Sequence, residues 1–144
     1  MELPIINHPD YVAKINDDNK FPIKKFGALA EYLLQEGVVK KFYRPEECSI
    51  ETMKTSHSIK YINDIKNKTL DIKAQKKIGF PINDSVVRRS FVATGGTVLA
   101  SKLALDTKLA CNTAGGSHHA TFDFGAGYCV FNDTAVAANY LKNK

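Results

Sequence analysis

The sequence predicts an α/β fold built on an open sheet. Three observations lead there. A long helical pattern begins at Asn83 or Asp84 and continues through Leu105, and the short segment Lys108–Thr113 after it has strand character. A glycine-rich loop follows that segment at once, and a second helical pattern runs from Thr134 to about Leu141. Helix, strand, loop, helix is the order of an open α/β sheet, in which functional groups gather beyond the carboxyl ends of the strands. No repeat or linker divides the chain, so residues 1–144 are expected to form one domain.

The elements follow in order. Residues 1–22 hold His8-Pro9, a polar run from Asn16 to Lys20 and Phe21-Pro22, and predict irregular structure. After Pro22, Phe26, Leu29, Ala30 and Leu33 recur at helical spacing, and Gly37 stands where a C-terminal cap belongs. From Ser49 to Asn67 a stripe of Ile50, Met53, His57, Tyr61 and Ile65 predicts helix with room for a break. Residues 67–78 are lysine-rich and weakly patterned, predicting a surface segment that Gly79-Phe80-Pro81 ends. The long helix keeps its period through Val87, Phe91, Thr94, Val98 and Leu105. Gly95-Gly96 lies inside it, where each glycine costs about 1 kcal/mol relative to alanine; the pair therefore predicts close packing against another backbone. A phosphate-binding loop would need a GxxxxGK[ST] pattern, which is absent. Lys108–Thr113 reads as a short buried strand, and Asn132 or Asp133 as the cap of the last helix.

Composition narrows the function classes. No stretch approaches the roughly 20 apolar residues that cross a bilayer, and Met1-Glu2-Leu3-Pro4 lacks the basic-then-apolar plan of a signal peptide. A cytoplasmic location without membrane attachment is the expectation. Cys48, Cys111 and Cys129 are odd in number and form no CxxC pair, which suggests reduced, mostly buried thiols. The formal charge is +5, but it is carried by scattered lysines, with Arg44, Arg88 and Arg89 the three arginines. A nucleic-acid face concentrates its charge and interleaves arginine or aromatic residues, so a solvated basic surface is the better reading.

The segment richest in chemistry is Gly115-Gly116-Ser117-His118-His119-Ala120, with Gly125-Ala126-Gly127-Tyr128-Cys129 soon after. Adjacent histidines diverge in a helix or strand and chelate poorly. A flexible loop can bring both rings into one site, where a general acid–base role suits groups that titrate near neutral pH. Asp123 and Asp133 could contact the rings, but Asp133 is better explained as a helix cap. His57, on the apolar stripe with Met53 and Tyr61, reads as a structural core histidine, and His8 as structural or near a rim.

The histidine segment, followed by Gly127-Tyr128-Cys129-Val130-Phe131-Asn132-Asp133, resembles the signature of the zinc-dependent histone deacetylase family. His8-Pro9-Asp10-Tyr11, Phe21-Pro22, His57 with Tyr61, Gly79-Phe80-Pro81, Arg89-Ser90 and Gly95-Gly96-Thr97 are similar in order to its class IV-like and bacterial branch. The resemblance implies the amino-terminal portion of an arginase–deacetylase-type parallel sheet flanked by helices, incomplete. It implies hydrolysis of an acyl-amide on lysine or a polyamine by zinc and a histidine-activated water. Carried over by position, His119 is the general base, His118 its electrostatic partner, Gly127 a backbone lining the acyl-lysine tunnel, and Tyr128 the aromatic tunnel wall. That wall is more often Phe, so the Tyr128 hydroxyl is expected to alter acyl preference. Lys24 and Lys25 stand where relatives often place a basic residue lining an inner channel.

The resemblance also implies an Asp-x-His pair, a further aspartate ligand and a carbonyl-polarising tyrosine, none of which has a counterpart here. Zinc is thus the cofactor expected of the intact family, with no metal ligand assigned in this chain. The chain alone is expected to be an inactive amino-terminal fragment. It would act on an acyl-lysine or acylpolyamine substrate only if completed by a second polypeptide carrying the carboxy-terminal half. A decayed remnant and a small basic binding module without catalysis are the competing readings; salt-sensitive binding to nucleic acid would mark the last.

Overall fold

A computed structural model describes residues 3–144. Its sheet is parallel and two-stranded: β1 (Ile5–Ile6) pairs with β2 (Cys111–Asn112) in the register Ile5 to Cys111 and Ile6 to Asn112. Tyr43 extends β1 on its other side through a parallel bridge to Ile6. Helices α1 (Lys25–Gln35), α2 (Ile50–Met53), α3 (Ile59–Lys66), α4 (Ile72–Ile78), α5 (Asp84–Thr107) and α6 (Asp133–Lys142) complete the α/β architecture. The long α5 is the spine: it packs on α6, on both strands and on a single 3-10 turn at Pro9–Tyr11.

Local chemistry sets most of these bounds. Ser49, Ser58, Asp71, Asn83 and Asn132 each accept a backbone N–H of the first turn with a side-chain oxygen, satisfying donors that have no partner within the helix. The two serines divide the stripe at 49–67 into α2 and α3, which is the break its pattern allowed. Gly79 closes α4 in the left-handed region, where a side chain would be strained.

The Gly95-Gly96 pair does what its position in α5 suggests. A β-carbon on Gly95 would stand 2.1 Å from the Glu46 carbonyl oxygen, and one on Gly96 would stand 2.1 Å from the Tyr11 hydroxyl. Only a bare helix face lets the Glu46–Cys48 backbone and the Tyr11 ring approach so closely. The main core lies around that face: Tyr11, Met53, Ile62, Ile65, Val92 and Val136 are fully buried.

Three expectations change. Residues 3–22 are not wholly irregular, since β1 and the 3-10 turn lie there; two β-branched residues are too short a run to show strand periodicity. The lysine-rich segment contains α4, whose single fully buried anchor, Ile78, leaves a weak pattern. Finally, β2 is not buried. Cys111 is exposed and Asn112 half-buried, with Leu109 63% exposed beside them. Among the described residues β2 has a strand neighbour on one side only.

Candidate functional site

The strand β2 leads through Thr113 and buried Ala114 into the glycine–histidine loop. Asp133, the first residue of α6, is 2% exposed. Its Oδ2 accepts the Gly116 N–H at 3.0 Å and its Oδ1 the Ser117 N–H at 2.7 Å. The Thr97 hydroxyl of α5 donates to Oδ2 as well. The cap of α6 is instead Asn132, whose Oδ1 accepts the Ala135 N–H at 3.0 Å. Reading Asp133 as a helix cap therefore misses its main contacts, which reach back across the loop.

The histidines follow on this anchored turn. Their ring centroids lie 4.2 Å apart with planes inclined at 40°, and both residues are exposed. His118 Nδ1 is 2.9 Å from the Gly116 carbonyl. A carbonyl only accepts, so this bond places the proton on Nδ1 and leaves Nε2 as the basic nitrogen. Gly127, at φ +54, passes under the other ring: a β-carbon there would stand 3.1 Å from His119. Asp123 is exposed and contacts neither ring by a hydrogen bond.

Tyr128 also occupies the left-handed region, at φ 64. It is held there by its N–H, which donates to the Ile78 carbonyl at 2.6 Å, and by ring contacts with Phe21 and Phe80 at centroid distances of 5.1 and 5.4 Å. The neighbouring Gly127 N–H donates to the Lys77 carbonyl at 3.2 Å. Tyr128 and Gly127 border a cavity of about 480 Å³ whose other lining includes Phe21, Lys25, Arg89 and Gly116. The imidazoles do not line it. Of the lysine pair, Lys25 faces this cavity while Lys24 turns to solvent and pairs with Asp17 at 2.8 Å.

The far leg of the loop hangs from the core. His57 is 1% exposed, and its Nε2 accepts the Asn132 N–H at 2.9 Å. Its Nδ1 has no hydrogen-bond partner; burial lowers the ring's pKa, opposed by the nearby backbone of Thr121 and Phe122. The Tyr61 hydroxyl donates to the Val130 carbonyl at 2.7 Å. His57 is thus a core histidine. His8 caps the 3-10 turn, its Nδ1 accepting the Asp10 N–H at 3.1 Å.

Arg89 lines the same cavity as Gly127 and Tyr128, a placement that its sequence position alone does not reveal. It is 7% exposed on the inner face of α5, with Nε donating to the Tyr11 carbonyl at 2.8 Å and the guanidinium 4.8 Å from the Phe26 ring centre. Burial pulls its pKa down to about 10, and the Tyr11, Cys129 and Asp133 groups oppose that loss. The sequence signals it by the Arg89-Ser90 pair and by a cation among apolar helix positions, neither of which gives its contacts. Two of the three cysteines, Cys48 and Cys129, are buried; Cys111 is exposed.

The arrangement is that of an α/β protein whose parallel strand runs at its carboxyl end into a glycine loop bearing two adjacent imidazoles. The histone deacetylase domain model matches residues 20–144, and the chain belongs to that family. It is 40% identical over 146 residues to an uncharacterised protein of Picosynechococcus sp., covering 100% of this chain and 49% of that protein. It is 28% identical over 136 residues to histone deacetylase 2 of Arabidopsis thaliana, covering 83% of this chain and 33% of that one. The crystal structure of an HDAC homologue from Aquifex aeolicus superposes with a TM-score of 0.83 at 24% identity, covering 99% of this chain and 42% of the other. The fold is accordingly of the arginase–deacetylase type. The chain spans half or less of the length of these relatives.

The family is generally zinc-dependent. Among the described residues, no three His, Cys, Asp or Glu side chains come together as a group that could hold a metal ion. The described residues do not by themselves fit that ion. No helix among the described residues is long and apolar enough to cross a membrane.

Proposed function

We propose that this chain carries the proton-handling, amino-terminal part of an acyl-amide hydrolase acting on acyl-lysine or acylated polyamine. The observation that supports it is the imidazole pair, 4.2 Å apart on one anchored loop, with the His118 tautomer set by the Gly116 carbonyl. In this reading His119 takes the proton of an attacking water, and His118 steadies the charge that develops beside it. The Gly127 backbone and the Tyr128 ring line the passage for the acylated chain, where the phenol hydroxyl adds a polar group to an otherwise apolar wall. In the same reading zinc and the residues that hold and assist it would come from the remainder of the domain, and residues 1–144 by themselves turn over no substrate.

Mixing the purified chain with a polypeptide bearing the remaining half of the domain of the Picosynechococcus relative tests this. Release of the acyl group from an acetyl-lysine peptide and an acetylated polyamine is measured with zinc and after chelation. Zinc-dependent turnover is expected of the mixture and none of the chain alone, and His119→Ala should slow the mixture by roughly 10²–10⁴-fold. Zinc-dependent turnover by the chain alone would overturn the inactivity. A folded, zinc-loaded assembly that hydrolyses neither substrate would overturn the hydrolase reading.

A further inference from the structure

A single run of hydrogen bonds, four elements long, ends at the histidine loop. The Tyr11 hydroxyl donates to Asn112 Oδ1 at 2.8 Å. Asn112 Nδ2 donates to Thr97 Oγ1 at 2.9 Å and to the Ala93 carbonyl at 3.1 Å. The Thr97 hydroxyl passes its own proton to Asp133 Oδ2. Donors and acceptors alternate without conflict from the 3-10 turn through β2 and α5 to α6. The last member, Asp133, has only acceptors left, and both of its oxygens take backbone N–H groups of the loop. Gly115 leaves the necessary space: a β-carbon there would stand 2.9 Å from Thr97 Oγ1 and 3.2 Å from Asp133 Oδ2.

We infer that Asp133 is a positioning residue for the imidazole pair. By clamping the Gly116 and Ser117 N–H groups it orients the Gly116 carbonyl toward His118 Nδ1, and so dictates which His118 nitrogen is basic. Charge-assisted bonds from a buried carboxylate are stiffer than neutral ones, which suits a turn carrying glycine at φ +95. The Thr97 hydroxyl holds the carboxylate's orientation but touches no loop amide, so its contribution is secondary. The role of this clamp in catalysis rests on the proposed hydrolase reading; the clamp itself does not.

The test uses the 144-residue chain labelled with ¹⁵N, and requires no turnover. Imidazole nitrogen resonances report the His118 tautomer, and amide exchange reports the clamp. In Asp133→Ala the Gly116 and Ser117 amides should exchange about tenfold to a hundredfold faster, and the His118 Nδ1–H signature should give way to a tautomer mixture. Amides in the middle of α5 should keep their protection. Thr97→Val should leave the His118 signature in place, because both loop amides retain their acceptor. If Asp133→Ala does not fold, Asp133→Asn supplies the readout: its single carbonyl oxygen can satisfy one amide, so one of the two should exchange faster. A folded Asp133 variant with unchanged loop amides and an unchanged His118 tautomer would overturn the inference. So would uniform loss of protection across the chain with the tautomer intact. An inactive completed assembly whose Asp133 clamp behaves as described would count against the hydrolase reading alone.

Discussion

His57 offers a quantitative check on how the core suspends the site. Its ring is 1% exposed, lies 5.3 Å from Phe131 and 5.9 Å from Tyr61 by centroids, and accepts the Asn132 N–H. Leucine in its place keeps most of the apolar packing and strands that N–H. An unsatisfied buried donor costs about 1–3 kcal/mol; half-burial of Asn132, and removal of the His57 Nδ1–H that itself has no partner, argue for the lower end, about 1 kcal/mol or less. Alanine adds an unfilled volume, bringing the loss to roughly 3–5 kcal/mol. The two variants also differ from the parent in pH response. Burial holds the folded-state pKa of His57 below 6.5, so the unfolded chain binds the proton more readily. The stabilisation is complete above the unfolded value of 6.5 and falls away as pH drops toward the folded value. The slope over that window is at most about 1.4 kcal/mol per pH unit for one proton. His8 is lowered as well, chiefly by burial, so the parent has two such groups and His57→Leu should keep one. The chain lacks tryptophan, so urea unfolding is followed by far-ultraviolet circular dichroism, at about pH 7.5 and about pH 5.5. A leucine variant with the parent's midpoint at both pH values would refute the reasoning.

Three further outcomes are expected. Gly95→Ala should lower the melting temperature, because crowding against the Glu46 carbonyl, worth about 1–3 kcal/mol, outweighs the roughly 1 kcal/mol gained in helix propensity; a raised melting temperature would count against close packing at that turn. Asn132→Ala should lose about 1 kcal/mol as a missing cap and, by releasing the His118 and Ala120 carbonyls, shift the His118 resonances in the folded spectrum; unshifted resonances would show that the cap acts on α6 alone. Tyr128→Phe should change stability by less than about 0.5 kcal/mol, yet favour longer apolar acyl groups in a completed assembly, and an unchanged ratio of long-acyl to acetyl turnover would remove the hydroxyl from any part in selectivity.

Helices with a wide apolar stripe or a long run, α1, α5 and α6, are readable in the sequence because period and caps agree. The short α4 is not, since five of its seven residues are lysine, glutamine or exposed isoleucine and its evidence is confined to Asp71 and Gly79 at the two ends. The strand β2 reads as buried because Leu109 and Cys111 are apolar, whereas both are exposed among the described residues, and no local pattern says whether a strand's face is covered. At the site, the paired histidines announce themselves through their glycine context. The role of Asp133 stays hidden, because a carboxylate beside Asn132 looks locally like a cap while its donors lie in segments remote in sequence, at Thr97 and Gly116–Ser117. Arg89 is hidden for a similar reason: its carbonyl and aromatic neighbours come from residues 11, 21 and 26.

The final carbonyls of α4 grip the Gly127 and Tyr128 amides, and the Tyr128 ring rests edgewise against Gly79 with no room for a methyl group between them. That seven-residue helix is otherwise fastened mainly through Ile78 and a Gln75 side chain that bridges the Leu70 carbonyl and the Ile82 N–H. The backbone beneath the His119 ring is therefore tied to a surface helix with few other fastenings. A substitution that displaces α4 would therefore displace the Gly127 backbone and the Tyr128 ring with it, while α5 keeps its own packing on α6 and the strands.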